Sequence, residues 1–449
     1  TNPAEVLRVA IPEEKQQGIP AEVQALLEMR IEVEGELEAI YEDYQDGSHK
    51  LRHFVKTSYG ERFELFFANG GAGASNGARV SASGVLVGNH QGEIDGLLAL
   101  SDAEESLLML ECCDGTSEAT NNGPELTDTF GDKRTLVILV NFQDDPNNKP
   151  WTVTQVQSAV FDDVNNYFVE ASYGQTSISG DVLNWTTIAK DSDDCSSSLT
   201  RELALNSAIA QGVDPDGYDR RIYLYPNQAV CGISGTALAP GKDVWINGTL
   251  ETSVIAHELG HNLGLLHANS LECGDDVASG NCFTYNYGDK VDTMGNKNSA
   301  HFNPYQKERL GWLSANEIIE VSASGQHNLK PYELGPDGSA QVLKVLRSVD
   351  PVSGEKQWFY MEYRQPVGFD NNLLELDSAN LYNGILVRLA TESDANSSLL
   401  LDMTPNSDDR SFNDWKNPSL EAGYSFTDSE SGISISTDVV DSNAATVSI

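Results

Sequence analysis

The sequence predicts a multidomain α+β chain, with an N-terminal small β-barrel or sandwich, a central α/β domain and a C-terminal β-sandwich. Three observations carry this reading. The chain has 449 residues, room for about three domains of roughly 150 residues, each able to bury its own core. Its first and last thirds break into short apolar or alternating runs separated by glycine- and asparagine-rich turns, the pattern of all-β modules. Helical periodicity is concentrated in the middle.

Residues 1–20 are polar and proline-flanked and read as an arm. From Arg30 apolar and acidic residues alternate, Ile31, Val33 and Leu37 against Glu32, Glu34 and Glu36, as on a half-buried strand. Residues 52–57, 62–67, 78–87 and 96–100 continue the strand series, with a glycine-rich turn at 69–73. A polar stretch at 114–131 reads as a linker, so the N-terminal β module and its linker are placed at 1–125. Residues 135–142 then form a continuous apolar run, expected of a strand buried on both faces. Val156, Val160, Val164 and Phe168 stand four apart, which predicts a helix over 153–168. A strand at 176–184, a helix at 201–211, a strand at 221–225 and a helix at 250–266 complete a central domain at 126–315. Beyond Trp312 helical patterns stop, and strand-like runs at 342–347, 357–363, 384–389, 432–439 and 445–449 predict a β-sandwich over 316–449.

Composition narrows the class. Asp and Glu number 68 against 28 Lys and Arg, a formal net charge of −40. That balance argues against nucleic-acid binding and against docking on anionic membrane, because both need basic surface. Hydrophobic residues at 39% are too many for a disordered acidic tail. No apolar run approaches the length of a membrane-spanning helix, so no membrane insertion is expected. The charge is even: net −15 over 1–125, −12 over 126–315 and −13 over 316–449. Acidity over the whole surface keeps a chain soluble and monomeric at high ionic strength, so a saline, extracellular setting and a monomer are expected. The polar start at Thr1 has no signal-like apolar core, so a secretory signal is expected either to have been removed or never to have existed.

Of the six cysteines, four sit in two near pairs, expected as Cys195–Cys231 and Cys273–Cys282 disulfides in an oxidising compartment. Four cysteines allow three connectivities, so spacing alone leaves the pairing open.

The chemistry concentrates at residues 253–268, which read SVIAHELGHNLGLLHA. His257 and His261 are four apart on a helix and therefore share one face, where both imidazoles can reach one metal ion. Glu258 lies beside that face, suited to act as a base on water at the metal. Gly264 can take a positive-φ turn that brings His267 back as a third ligand. Three His ligands leave one position open, the arrangement of a catalytic rather than a structural zinc. An isolated HExxH arises by chance in solvated helices, but here the full HExxHxxGxxH spacing is present and Met294 follows in Asp292-Thr293-Met294-Gly295.

These residues resemble the metzincin zinc endopeptidases, with Met294 as the methionine beneath the metal. More narrowly, Tyr287-Gly288-Asp289, His301-Phe302-Asn303, the run Lys307-Glu308-Arg309-Leu310-Gly311-Trp312, Met361-Glu362-Tyr363-Arg364-Gln365-Pro366 and Gly368-Phe369-Asp370 resemble the gametolysin-like peptidases. The resemblance covers about 130–449. It implies a metzincin-like catalytic domain, zinc held by His257, His261 and His267, and Glu258 as general base. There is no Tyr two residues after Met294, as astacin- and serralysin-like relatives have, so Tyr285, Tyr287 and Tyr305 are the candidates for oxyanion stabilisation, each set against a packing role.

Cys112 and Cys113 end the N-terminal module. They can pair with each other, pair elsewhere, or give a thiolate to the zinc and displace its water. The last reading takes Cys113 as a ligand and resembles the cysteine switch of latent metzincins, although the matrixin-type PRCGxPD text is absent. On that reading the first module is a pro-domain; the alternative is a permanent adhesion or stability module. Calcium is the other ion considered, at Asp214–Asp219 and Asp191–Asp194, where solvated acidic turns are the plainer reading. Asn184, Asn247 and Asn396 fit the N-glycan acceptor pattern. His49, His53, His90, His301 and His327 lack metal spacing and read as surface or core histidines. Trp245-Ile246-Asn247 is either core packing or part of an edge strand for extended substrate. The expected function is a secreted zinc endopeptidase acting on extracellular proteins or peptides and made as a latent precursor. The alternatives are a non-catalytic adhesion or matrix-binding protein with structural zinc, and a zinc hydrolase of non-peptide substrates.

Overall fold

The computed structural model describes residues 30–68, 76–87, 96–100, 106–111, 126, 128–295, 299–375, 380–405 and 417–449. The expected arm, the turn at 69–73, Cys112, Cys113, His90 and most of the linker lie outside these residues. The molecule is largely β-sheet with few helices. It divides into two compact units, each assembled from separate stretches. The first takes Thr1–Ser117, Thr135–Val153 and Asp181–Thr249; the second takes Glu118–Arg134, Thr154–Gly180 and Leu250–Ile449. Among the described residues the α-helices are α1 (Val153–Ser158), α2 (Asn165–Ala171), α3 (Ser197–Ala210), α4 (Thr252–Asn262) and α5 (Pro304–Arg309).

The first unit is built on a sheet of eleven strands. In chain order these are β1 (Arg30–Tyr44), β2 (His49–Lys56), β3 (Arg62–Phe67), β4 (Arg79–Val87), β5 (Gly96–Leu100), β6 (Leu107–Glu111), β7 (Gly131–Phe142), β8 (Thr176–Ile188), β9 (Arg220–Tyr225), β10 (Ile233–Leu238) and β11 (Asp243–Asn247). The sheet order is β6-β4-β5-β3-β2-β1-β10-β11-β9-β7-β8, and a further β4–β1 pairing closes strands β1 to β5 on themselves.

Strand β1 serves two cores because its side chains alternate across a long ribbon. Val33 and Leu37 pack with Val55, Leu65, Val80 and Leu98. Ile40 instead joins Phe54, Leu136, Ile138, Val140, Tyr223 and Trp245. Its last residues pair antiparallel with β10, Ile40 opposite Leu238 and Glu42 opposite Thr236. Beside this junction buried Glu38 is held by Arg62 at 2.8 Å and Arg201 at 3.1 Å. The N-terminal strands and the apolar run of β7 thus share one sheet, where the sequence alone suggested a linker between separate modules.

In that sheet β7, β9 and β11 run parallel, and Leu136 to Val140 are fully buried, as the continuous apolar run predicts. Helix α3 begins where the Ser196 hydroxyl caps the Leu199 amide. The Cys195–Cys231 disulfide forms, S–S 2.05 Å, just before this cap.

In the second unit a π-helical turn, Ala159–Val164, joins α1 to α2, and α4 packs against it. Tyr167, Phe168, Phe302 and Trp312 meet edge-on or tilted around this contact. The remaining strands are β12 (Asn269–Glu272), β13 (Phe283–Tyr285), β14 (Ile318–Glu320), β15 (Gln326–Leu329), β16 (Val342–Val349), β17 (Lys356–Glu362), β18 (Gly384–Thr391), β19 (Leu399–Leu401), β20 (Leu420–Glu421), β21 (Ser425–Thr427), β22 (Ser434–Asp441) and β23 (Ala444–Ser448). One sheet runs β13-β12-β19-β18-β17-β16-β14 with β20 on β18; a second runs β15-β23-β22-β21. Leu343, Phe359 and Val387 from the first sheet share a core with Leu329, Ile435 and Val447 from the second. The Cys273–Cys282 disulfide also forms, S–S 2.06 Å.

Candidate metal centre

Helix α4 is shorter than its periodicity predicts. It stops at Asn262, and the chain turns at Gly264 with φ +97°, a conformation that a Cβ would strain. The Gly264 amide bonds the His261 carbonyl and the Leu265 amide bonds the Gly260 carbonyl, closing the helix end. The chain then returns along α4 and brings His267 beside the two helix histidines. The three ring centroids stand 4.8 to 5.3 Å apart.

The nitrogens are oriented from behind. His257 Nδ1 lies 2.8 Å from the Thr293 carbonyl, and His261 Nδ1 lies 2.8 Å from the Leu265 carbonyl. Each of these carbonyls can only accept, so it selects the Nδ1–H tautomer and leaves Nε2 as the ligand atom. The Nε2 atoms of His261 and His267 are 3.1 Å apart, and the ligand nitrogens of all three residues lie within 4.8 Å of one another. Two imidazole nitrogens on one tetrahedral zinc, each at about 2.0–2.1 Å, stand about 3.3 Å apart. The donor set and its spacing therefore fit zinc. Glu258 is buried on the same helix, 1% exposed.

The floor of the site is Met294. A Cβ on Gly260 would come within 2.5 Å of its Sδ, so the glycine between the histidines is required by the methionine packed beneath the helix. The loop carrying Met294 is pinned on both sides of His267's neighbour. The Ala268 amide donates to the Met294 carbonyl at 3.0 Å, and the Asp289 amide donates to the Ala268 carbonyl at 3.3 Å. Asp292 accepts from the Met294 and Asn303 amides, both at 2.6 Å. Burial, then the adjacent Asp289 charge, push the Asp292 carboxyl up to about 7 against the pull of Arg388.

The three tyrosine candidates separate. Tyr305 is buried and its hydroxyl donates to the Thr391 and Asp394 carbonyls, a packing role. Tyr285 lies in β13, its ring edge-on to Phe283. Tyr287 has its ring 4.0 Å from His267 and 6.0 Å from His257, centroid to centroid, and holds φ +56°, a backbone state that costs about 1–3 kcal/mol for a residue with a side chain.

Other expected features resolve in place. Trp245 is buried in β11, between β9 and β10, so it packs and is not on a sheet edge. Asp194 and Asp214 accept from the Ser196 and Asp216 amides as turn caps. His301 is buried between Glu170 at 3.0 Å and Lys307 at 2.9 Å. Sequence reading missed the two carbonyls that orient the histidines, because backbone groups leave no sequence signal. It also missed Arg388, whose signal was a lone charge in the apolar strand run Gly384-Ile385-Leu386-Val387-Arg388-Leu389.

A model of the family described as Gametolysin peptidase M11 matches residues 134–397, well over half of the chain. This chain belongs to that family. The match takes in the helix, the returning His267 and the Met294 loop of this gametolysin-family metallopeptidase, and stops within the strand-rich remainder of the second unit. No curated protein matched the chain in a direct search.

Proposed function

We propose that this gametolysin-family chain is a secreted zinc endopeptidase of metzincin type, made as a latent precursor and acting on extracellular proteins. The observation that carries the reading is the convergence of His257, His261 and His267 at zinc-like spacing, with Glu258 buried on the same helix. Bound there, zinc would supply Lewis acidity to the scissile carbonyl and lower the pKa of its water. The three histidines hold it, with two of their Nδ1 atoms anchored by backbone carbonyls. Glu258 takes the proton of the attacking water on its carboxylate and returns it to the leaving amine. Tyr287 is the oxyanion donor on this reading, since its ring lies tilted against His267 and stacks at longer range on His257, on a strained backbone.

In the proposal, residues 1–125 act as a pro-domain, Cys113 supplies a thiolate ligand in the latent state, and cleavage within 114–131 releases activity. The even acidity supports a saline extracellular setting, and the sheet pair of the second unit is read as a β-sandwich.

The deciding experiment digests casein or a peptide library with the intact and the processed chain, with and without chelator. Chelator-sensitive cleavage that appears on processing is expected. Cleavage indifferent to chelator, or none after processing, would sink the reading. Equal activity of the intact chain and its Cys112→Ser/Cys113→Ser variant would remove the cysteine contact alone.

A further inference from the structure

The segment that orients the site is itself held by a buried chain of charges. Arg388, in β18, donates from Nε to Asp289 Oδ2 at 2.7 Å and from Nη1 to Glu362 Oε1. Glu362, in β17, meets Arg364 Nε at 2.9 Å, and Arg364 Nη1 meets Asp370 Oδ2 at 2.8 Å. Asp370 in turn accepts the His301 amide at 2.9 Å. The side chains of Asp289, Glu362, Arg364, Asp370 and Arg388 are all fully buried. A buried ionic chain is a poor device for stability, because desolvation offsets most of its attraction. What such a chain does well is fix orientation, since each fork admits few geometries.

The thing oriented is the loop behind the histidines. Asp289 Oδ1 accepts the Val291 amide at 3.0 Å, and its own amide bonds the carbonyl of Ala268, the residue after His267. Four residues on, the Thr293 carbonyl receives His257 Nδ1. The Tyr287 amide, two residues before Asp289, donates to Asn269 Oδ1. One carboxylate therefore anchors the stretch that aims His257, pins the chain behind His267 and carries Tyr287. We infer that Arg388 is a positioning residue for the metal site, acting through Asp289. The strands after Trp312 are then a working part of the centre and not an appended module.

The inference rests on the zinc reading above. It is tested in the full chain by zinc affinity in chelator competition and by the absorption spectrum of the cobalt-substituted protein, each beside a thermal melt. The variants are Arg388→Lys, Arg388→Gln and Asp289→Asn. Arg347→Met is the control; Arg347 bridges Asp428 at 3.1 Å and Glu430 at 2.8 Å in the turn between β21 and β22 of the same unit. Arg388→Lys keeps the charge but loses the fork that reaches two carboxylates. It is expected to melt near the unaltered chain yet bind zinc about tenfold more weakly, with a shifted cobalt spectrum. Asp289→Asn should behave alike, and Arg347→Met should lower the melting temperature with zinc affinity unchanged. If Arg388→Gln fails to fold, the lysine and asparagine variants decide. The inference is overturned if folded Arg388→Lys binds zinc within twofold of the unaltered chain, or if affinity simply tracks melting temperature through all variants, Arg347→Met included. An unaltered chain that binds no zinc would overturn both this and the function it rests on.

Discussion

At the scale of single residues the proposed chemistry can be separated from zinc binding. Glu258→Gln should lower kcat by about 10²–10⁴-fold, the usual contribution of a positioned base, while metal analysis still finds zinc. A variant with near-full activity would remove Glu258 from the mechanism. Tyr287→Phe deletes only the hydroxyl; kcat is expected to fall by about 10²–10³ with KM little moved, as for loss of an oxyanion donor. A change in KM alone would mean that Tyr287 packs against substrate instead. Gly260→Ala forces a methyl onto Met294 Sδ, 2.5 Å from the new carbon. Overpacking of that kind costs about 1–3 kcal/mol, read as a lower denaturation midpoint, and an unshifted midpoint would show that the methionine can give way. The residues His257, Glu258, His261, Gly264 and His267 were legible in the sequence because helix periodicity and one glycine dictate how they meet. That Tyr287, rather than Tyr285 or Tyr305, comes against His267 was not, because a strand, a loop and a helix carry the three and only the fold decides which of them reaches the histidines.

At the scale of elements, β1 is the strand on which the first unit depends. His53, in neighbouring β2, has Ala39 and Leu65 as cross-strand partners and the Phe67 ring edge-on at 5.4 Å. Burial pushes its pKa down to about 4 from 6.5. The unfolded chain therefore takes up a proton below about pH 6.5 that the folded strand refuses until about pH 4. Its contribution is complete above pH 6.5 and is lost as pH falls through that window, at most about 3 kcal/mol. Denaturant melts at pH 7 and pH 5 should show the first unit weakened by acid, with the slope flattened in His53→Leu. An unchanged slope would assign the acid sensitivity elsewhere. His301 in the second unit is also held below its ordinary value, by burial and then by Lys307. The strand from Arg30 was readable from alternation, and the later strands to Leu100, like β16, β17 and β18, from short strand-like runs between turns. The pairing of β1 with β10 was not, since the partners are about 195 residues apart and alternation names a face, never a partner.

At the scale of the whole molecule the charge and the crosslinks set the conditions of use. With −40 spread along the chain, self-repulsion is screened as the Debye length falls from about 10 Å at 0.1 M salt to about 3 Å at 1 M. The melting temperature is expected to rise over that range; a flat or falling curve would count against a saline setting. The Cys195–Cys231 disulfide closes 36 residues and Cys273–Cys282 closes 9. The loop-entropy relation gives about 4 and about 2.5 kcal/mol for them, so reduction should cost the first unit more than the second.

Composition, strand alternation and one metal-binding spacing were enough to mark this as an acidic, β-rich, metal-site protein, and the motifs around that spacing carried the resemblance to the gametolysin peptidases that the family match bears out. These are local properties, encoded within a few turns of helix or one ribbon of strand. Tertiary structure alone decided that β1 completes the central sheet, that Met294 demands Gly260, and that Asp289, Glu362, Arg364, Asp370 and Arg388 form one buried chain behind the histidines. The motifs at 287–289, 361–366 and 368–370 stood in the sequence as separate resemblances with no stated purpose. In the fold their charged residues pair, Arg364 with Glu362 and Asp370, and Asp289 with Arg388 from outside these motifs: a charge removed from water must find its opposite, and only the folded chain brings the opposites within 3 Å.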